Sequence, residues 1–424
     1  MQAASPHRVR NVSIILAGRF AMSAARALAA VITPIYLAVI GFSALRLGFL
    51  FLVVAVASAV MAAGVGAASD RLGRKPFLLA MPLLTAGAAV AFAVSDRTMV
   101  LFMAAAAGSF GRGSGAGAGT VGPYQPAESA FAVDAVSAEE RNSVFGRLAF
   151  SAALGALGGG LLALLARKGH VVGGTQAMTT FRPAFLTVAV LCIIAGVVAL
   201  GLVEPRRRRR DRTFPPGRRA GIVPRRSVPL LIRLWITNSV NGLAVGMFGP
   251  FLTYWFFRRL GAGPGEIGVM FALVNLASLP STLGAAPLAR RFGLVRTASA
   301  MRVAQSVLLI PMALSPTFWV AGGVYLVRMA VQRAGMPLRQ SYVVAMADPQ
   351  ERARVAALSS LPAQATSAVS PVFAGYLFDQ VSLTLPIELA GLLQLSTAVL
   401  FYVFFHGWRP EEERHAVPLE ARDG

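Results

Sequence analysis

Gly66-Ala67-Ala68-Ser69-Asp70-Arg71-Leu72-Gly73-Arg74-Lys75 is a short charged turn set between two apolar runs, 47 to 68 and 76 to 95. Each run is about 20 residues, the length that carries a helix across roughly 30 Å of hydrocarbon with every backbone group bonded internally. Two such runs joined by so few residues read as a membrane hairpin. The three basic side chains of the turn, Arg71, Arg74 and Lys75, belong on its water-facing side.

Working outward, the same pattern fills the chain. Hydrophobic residues make up 56% of the 424 and charged ones 14%, against roughly 25% charged in a soluble domain. Twelve apolar spans are expected: 12 to 39, 47 to 68, 76 to 95, 99 to 134, 144 to 166, 182 to 203, 230 to 257, 266 to 289, 297 to 315, 317 to 346, 355 to 378 and 385 to 406. The fold class is an all-α integral membrane protein with twelve transmembrane helices.

The spans are written twice. Gly41, Gly48, Gly64 and Gly73 recur 220 positions later as Gly261, Gly268, Gly284 and Gly293. Pro126, Glu140, Arg141 and Val144 recur 211 later as Pro337, Glu351, Arg352 and Val355. Two parallel halves are what a secondary transporter uses, since a solute site between them opens to either side as one half rocks against the other. The expected units are a six-helix bundle at 1–203, a basic linker at 204–229, a second bundle at 230–408 and a tail at 409–424.

A net charge of +22 would suggest nucleic acid in a soluble protein. No basic stretch here alternates with stacking aromatics as a single-strand groove would. Most extramembrane Arg and Lys instead fall on one side if the amino end is cytoplasmic: Arg8, Arg10, the Asp70 turn, Arg141, Arg147, Arg206 to Arg226, Arg290, Arg291, Arg296, Arg352, Arg354 and Arg409. The positive-inside rule then puts both termini in the cytoplasm of a multi-pass cell-membrane protein. The linker, with five consecutive arginines from Arg206, reads as a solvated loop near anionic lipid headgroups. Cys192 is alone and forms no intrachain disulfide. Arg19 and Arg26 interrupt the first span where a cleavable signal would be purely apolar.

The Asp70 turn resembles the signature loop of the major facilitator superfamily, Gly-x-x-x-Asp-Arg-x-Gly-Arg-Arg/Lys, at every fixed position, and it stands after the second of twelve spans. A degenerate copy, Gly284 to Gly293, puts Arg290 where the aspartate would be. The resemblance covers roughly residues 10 to 408 and implies two pseudo-symmetric six-helix bundles, a small-molecule substrate and alternating access. It assigns a cytoplasmic gate to Asp70, Arg71, Gly73 and Arg74. Physically, a carboxylate there can accept charge-assisted bonds from arginines and from a neighbouring helix start. Span four carries Arg112-Gly113-Ser114-Gly115-Ala116-Gly117, similar to the family's arginine-glycine motif with glycine spacing off by one. Span five, with Gly155 to Gly160, lacks the proline of the antiporter motif.

Charges inside spans cost about 2.5 to 3.5 kcal/mol on insertion scales and normally face the bundle interior or water. Arg19 and Arg26, two turns apart, share a face of span one, and Arg328, Gln332, Gly335, Arg339 and Tyr342 make a polar stripe on span ten. The resemblance implies that spans one, four, seven and ten line the cavity. The expected cavity residues are Arg26, Arg112, Tyr124, Gln125, Asn238, Asn241, Arg328, Gln332 and Arg339. Glu128 is the proton-coupling candidate, a carboxyl that burial favours neutral and a nearby arginine ionised. The 211 register makes it equivalent to Arg339, and the two are expected to pair in one conformation. Arg19 and Arg302, near span ends, either snorkel to the interface or touch ligand. Arg333 lies on another face of span ten and is expected between helices.

The excess of buried positive charge favours an anionic or neutral polar substrate. Protons and membrane lipids are the other partners, the chain is expected to be a monomer, and neither cofactor nor metal is expected. Four histidines scattered through loops and termini offer no catalytic constellation, so no enzyme is expected. With no nucleotide site, proton-driven transport, export favoured, is the leading function. The alternative is a sensor or scaffold that keeps the fold without transporting.

Overall fold

The computed structural model describes residues 6–111, 122–137, 139–166, 175–204, 227–281, 291, 294–348 and 351–405. Most of the linker and the whole tail therefore lie outside the described residues. The first half contains α1 (Pro6–Val39), α2 (Ala44–Leu72), α3 (Lys75–Val94), α4 (Thr98–Gly108), α5 (Tyr124–Ala135), α6 (Arg141–Leu162) with a 3-10 turn at Ala163–Ala166, and α7 (Thr175–Leu200). The second contains α8 (Val228–Phe248), α9 (Leu252–Leu260), α10 (Pro264–Ser281), α11 (Leu294–Val307), α12 (Leu309–Ala313), α13 (Phe318–Met346), α14 (Arg352–Ser359), α15 (Leu361–Gln380) and α16 (Leu385–Phe405). These occupy the twelve expected spans as an all-α protein of two six-helix bundles.

Among the described residues, seven helices are long and apolar enough to cross a membrane by length and composition alone. The remaining spans, and the second part of span seven, are interrupted or carry charge, for identifiable reasons. Span four, expected as one helix over 99 to 134, is two: α4 ends at Ser109, which adopts left-handed φ 54°, and the chain is helical again from Tyr124. A continuous helix of 36 residues would measure about 54 Å, far more than the hydrocarbon requires. Span seven breaks at Gly249-Pro250, where proline withholds an N–H and its ring crowds the preceding turn. Spans nine and eleven break beside Pro311 and Pro362 in the same way.

Outward faces are apolar. Val53, Val56 and Val60 on α2, and Val190, Ile193, Ile194 and Val197 on α7, are all exposed. A contiguous exposed surface of this kind fits lipid and not water.

Within each half, helices lock through small residues. Ser151 donates to the Leu16 carbonyl at 2.7 Å, and Gly155 and Gly159 lie against the backbone carbonyls of Phe20 and Ala24. Both triplets step by four, so a ridge of α1 sits in a groove of α6 that any side chain would fill. The second half repeats the device: Thr366 donates to the Ser239 carbonyl at 3.0 Å, and Gly242 and Gly246 on α8 meet the carbonyls of Ala363 and Ser367 on α15.

The duplicated glycines explain how the halves meet. Gly48 on α2 lies against the backbone of Pro371 and Val372 on α15, and Gly268 on α10 lies against Gly160 and Ala163. Equivalent positions of the repeat thus make equivalent contacts across the pseudo-twofold. Gly41 and Gly261, at φ 94° and 64°, make matching turns just before them. Gly375 touches Ala44 and Leu45, Phe51 meets the Phe251 ring edge-on at 5.2 Å, and Thr253 donates to the Ala30 carbonyl at 3.4 Å. All these contacts lie at the end remote from Asp70. Towards the Asp70 turn, Gly64 and Gly66 on α2 have nothing among the described residues within 4 Å of where a Cβ would stand. Helices α2 and α15 touch at one end of the bundle, while α2 stands clear near the other.

Candidate functional site

The first half buries an ion pair. Arg19 on α1 donates to Glu128 on α5 at 2.6 Å, with the residues 6% and 2% exposed. Glu128 Oε2 holds that bond, while Oε1 has no hydrogen-bond partner among the described residues. Tyr124, one turn earlier, is buried too, and its hydroxyl lies 3.1 Å from where a Cβ on Gly18 would stand. Glycine before Arg19 therefore lets the tyrosine close on α1. Ser23 Oγ, one turn after Arg19, is buried without a partner among the described residues. Gln125 is exposed.

Arg19 was open to snorkelling on sequence grounds, and the structure corrects this: it reaches inward to a carboxylate. Glu128 pairs within its own half. The expected pairing with Arg339 cannot be placed, because the Arg339 side chain lies outside the described residues. Arg302, the other candidate for snorkelling, is 5% exposed with its guanidinium 4.5 Å from the Phe401 ring centroid. It packs inside the bundle as a cation over an aromatic face.

Arg26 donates to the carbonyls of Gly108 at 3.3 Å and Ser109 at 3.0 Å. These are carbonyls that the end of α4 leaves unsatisfied, and a cation suits that end of the helix dipole. Ser58 donates to Ser109, or accepts from it, at 2.8 Å beside them. Arg112 lies outside the described residues.

In the second half Arg328 is 2% exposed and donates to two amide oxygens, Gln332 at 3.3 Å and Gln394 at 3.1 Å, under the Phe248 ring at 5.0 Å. Its Nε has no partner among the described residues, and no carboxylate there pairs with it. Gln394 on α16 and Phe248 on α8 were missed in the sequence; a lone buried glutamine in the apolar twelfth span was the available signal. Arg333 donates to Asn275 on α10 at 3.2 Å, between helices as expected. Asn238 donates to the Ser359 carbonyl at 2.8 Å, where the break between α14 and α15 frees an acceptor, and Asn241 is half-buried.

At the Asp70 turn, Arg74 bridges Asp134 at 2.8 Å and Asp70 at 3.7 Å, and its backbone N–H donates to Glu204 at 2.8 Å. Lys75 donates to the Leu200 carbonyl at 2.9 Å. Gly73, at φ 97°, sits against the Glu204 carboxylate where a Cβ would collide. These bonds tie the turn to α5 and to the end of α7, within one half. Asp70 is 60% exposed at the side chain and Arg71 is exposed.

Two six-helix bundles, packed through equivalent glycines at one end and carrying buried ionisable groups on the first, fourth and tenth spans, define a secondary transporter. A family model described as Major Facilitator Superfamily matches residues 15–236 and 234–422. The chain belongs to that superfamily and is a multi-pass membrane transporter of a small molecule. It is 26% identical over 356 residues, 82% of this chain and 80% of the relative, to "Multidrug resistance protein MdtG" of Enterobacter lignolyticus. To the protein of that name in Proteus mirabilis it is 23% identical over 416 residues, 94% of this chain and 95% of the relative. In fold it is similar to the crystal structure of a bacterial homologue of the iron transporter ferroportin in its inward-facing state, with TM-score 0.69, 16% identity, and 93% and 98% of the two chains covered.

Proposed function

We propose that this transporter exports a small anionic or neutral polar solute in exchange with protons, and that Glu128 carries the proton. The observation that carries the reading is the Arg19–Glu128 pair, buried, with one carboxylate oxygen unsatisfied among the described residues. A buried carboxylate held by one guanidinium stays ionised while the pair is intact and is neutralised by a proton once it opens. Proton occupancy then changes the charge of the site by one and frees the Arg19 guanidinium for a polar group of the solute. Similarity to proteins named for multidrug resistance supports export.

In this reading units 1–203 and 230–408 rock about the solute, with Arg26, Arg112, Tyr124, Gln125, Asn238, Asn241, Arg328, Gln332 and Arg339 around it. The Asp70, Arg71, Gly73 and Arg74 turn closes the cytoplasmic end when the cavity faces out. The chain works as a monomer in the cell membrane with both termini in the cytoplasm. Its basic linker lies against anionic lipid.

The test is solute-stimulated proton flux in proteoliposomes under an imposed pH gradient, against a panel of organic anions, sugars and uncharged drugs. A saturable signal is expected that Glu128→Gln removes. Flux with unchanged pH dependence in the Glu128→Gln protein would move the proton carrier elsewhere, and no flux with any solute would favour a non-transporting role.

A further inference from the structure

We infer that Asp379 is the latch of the closed end, and that it works by capturing the start of a helix in the opposite half. An α-helix leaves its first four N–H groups without intrahelical partners. At the start of α2, Ser43 is the N-cap: its side chain accepts from Arg46 N at 3.2 Å and its carbonyl from Leu47 N at 3.0 Å. The two groups that Ser43 leaves, Ala44 N and Leu45 N, donate to the two oxygens of Asp379 at 2.9 and 2.8 Å. Asp379 belongs to α15, more than 330 positions away in the other bundle. One carboxylate thus completes the cap of a helix it does not share a half with, using charge-assisted bonds at the positive end of the dipole.

The surroundings make the capture possible. Gly375, one turn before Asp379, lies against the backbone of Ala44 and Leu45, and Gly48, one turn into α2, lies against Pro371. Only such close backbone approach brings a side chain as short as aspartate onto both N–H groups. When the halves part at this end, both bonds break together and the N–H groups pass to water. The contact therefore exists in one state and not in the other, which is what a latch requires. Helix α2 carries Asp70 at its far end, so the same rod has an aspartate contact at each end, one on it and one placed upon it.

This inference rests on the alternating-access reading, and its test separates the two. Thr253→Cys, buried at the closed end, and Gly66→Cys, half-exposed towards the open end on the face of α2 that carries Gly48, serve as reporters in a Cys192→Ser background. Each is labelled with a water-soluble maleimide in nanodiscs. With Asp379→Ala, labelling at Thr253→Cys is expected to rise about tenfold and labelling at Gly66→Cys to fall. Asp379→Asn keeps one acceptor and loses the charge, so it should give a smaller shift in the same direction. Unchanged labelling in either variant, with native melting temperature and elution, overturns the latch. If the reporters in the otherwise natural chain hold fixed rates whatever the pH or solute, and Asp379→Ala leaves them fixed, alternating access itself is overturned. If they respond to solute or pH but not to Asp379→Ala, only the latch is lost.

Discussion

The two halves copy each other's scaffold and diverge in their chemistry. Gly48 and Gly268 make matched contacts across the pseudo-twofold, and each half locks a helix pair with glycines against carbonyls. Yet the first half neutralises its buried Arg19 with Glu128, whereas the second holds Arg328 with two glutamine oxygens and a phenyl ring. A buried guanidinium facing a carboxylate can lose its partner's charge to a proton. One facing amides cannot, because amides do not titrate. Among the described residues, the matched scaffold thus holds Arg19 with a titratable partner and Arg328 with partners that do not titrate.

The comparison breaks most visibly at Glu128. Glu128→Leu strands a charge in the interior and is expected to cost about 3 to 5 kcal/mol, read as a large fall in detergent melting temperature or loss of folded protein. The isosteric Glu128→Gln should cost much less. Equal melting for Leu and Gln variants would mean that the pair contributes little electrostatically.

The scaffold half of the comparison predicts a smaller effect. Gly48→Ala and Gly268→Ala each drive a methyl into a facing backbone and should lose about 1 to 3 kcal/mol, with transport falling in both. Gly64→Ala on the same helix as Gly48 meets open space and should melt within about 0.5 kcal/mol of the natural chain. A Gly48 variant as benign as the Gly64 one would deny the close approach.

Smallest is the amide clasp. Gln394→Leu removes one of the two amide acceptors on Arg328 and should cost about 1 to 2 kcal/mol. Gln394→Glu would give Arg328 a carboxylate partner, of which it has none among the described residues. A new pH dependence of stability in that variant, absent from the natural second half, would show that the difference between halves resides in this one side chain.

The architecture was legible because the bilayer imposes it. Span lengths, the Asp70 turn and the paired glycines all reflect constraints that apply to the chain locally. Where glycine and alanine dominate, as over much of 99 to 134, the sequence hid a break, since both score as apolar whether or not they are helical. Glu128 could be singled out because acids in spans are rare. Its partner could not, because Arg19 lies on a different span and sequence shows neither depth nor direction. The repeat also pointed to Arg339, as a partner in one conformation, and that side chain lies outside the described residues. The Asp379 contact left no local trace: an aspartate at a helix end is ordinary until the other helix is in view.

One stripe on α15 links these observations. Ala363, Ser367, Pro371, Gly375 and Asp379 step by four; the first two face α8 of their own bundle, and the last three face α2 of the other. A four-residue step overshoots a helical turn by about 40°, so the row winds about 160° along its length. A single helix thereby changes neighbours partway up. If Asp379 is the latch, the lower stretch serves assembly and the upper stretch timing, so changes low in the row should deplete the protein and changes high in it should leave it abundant but out of step.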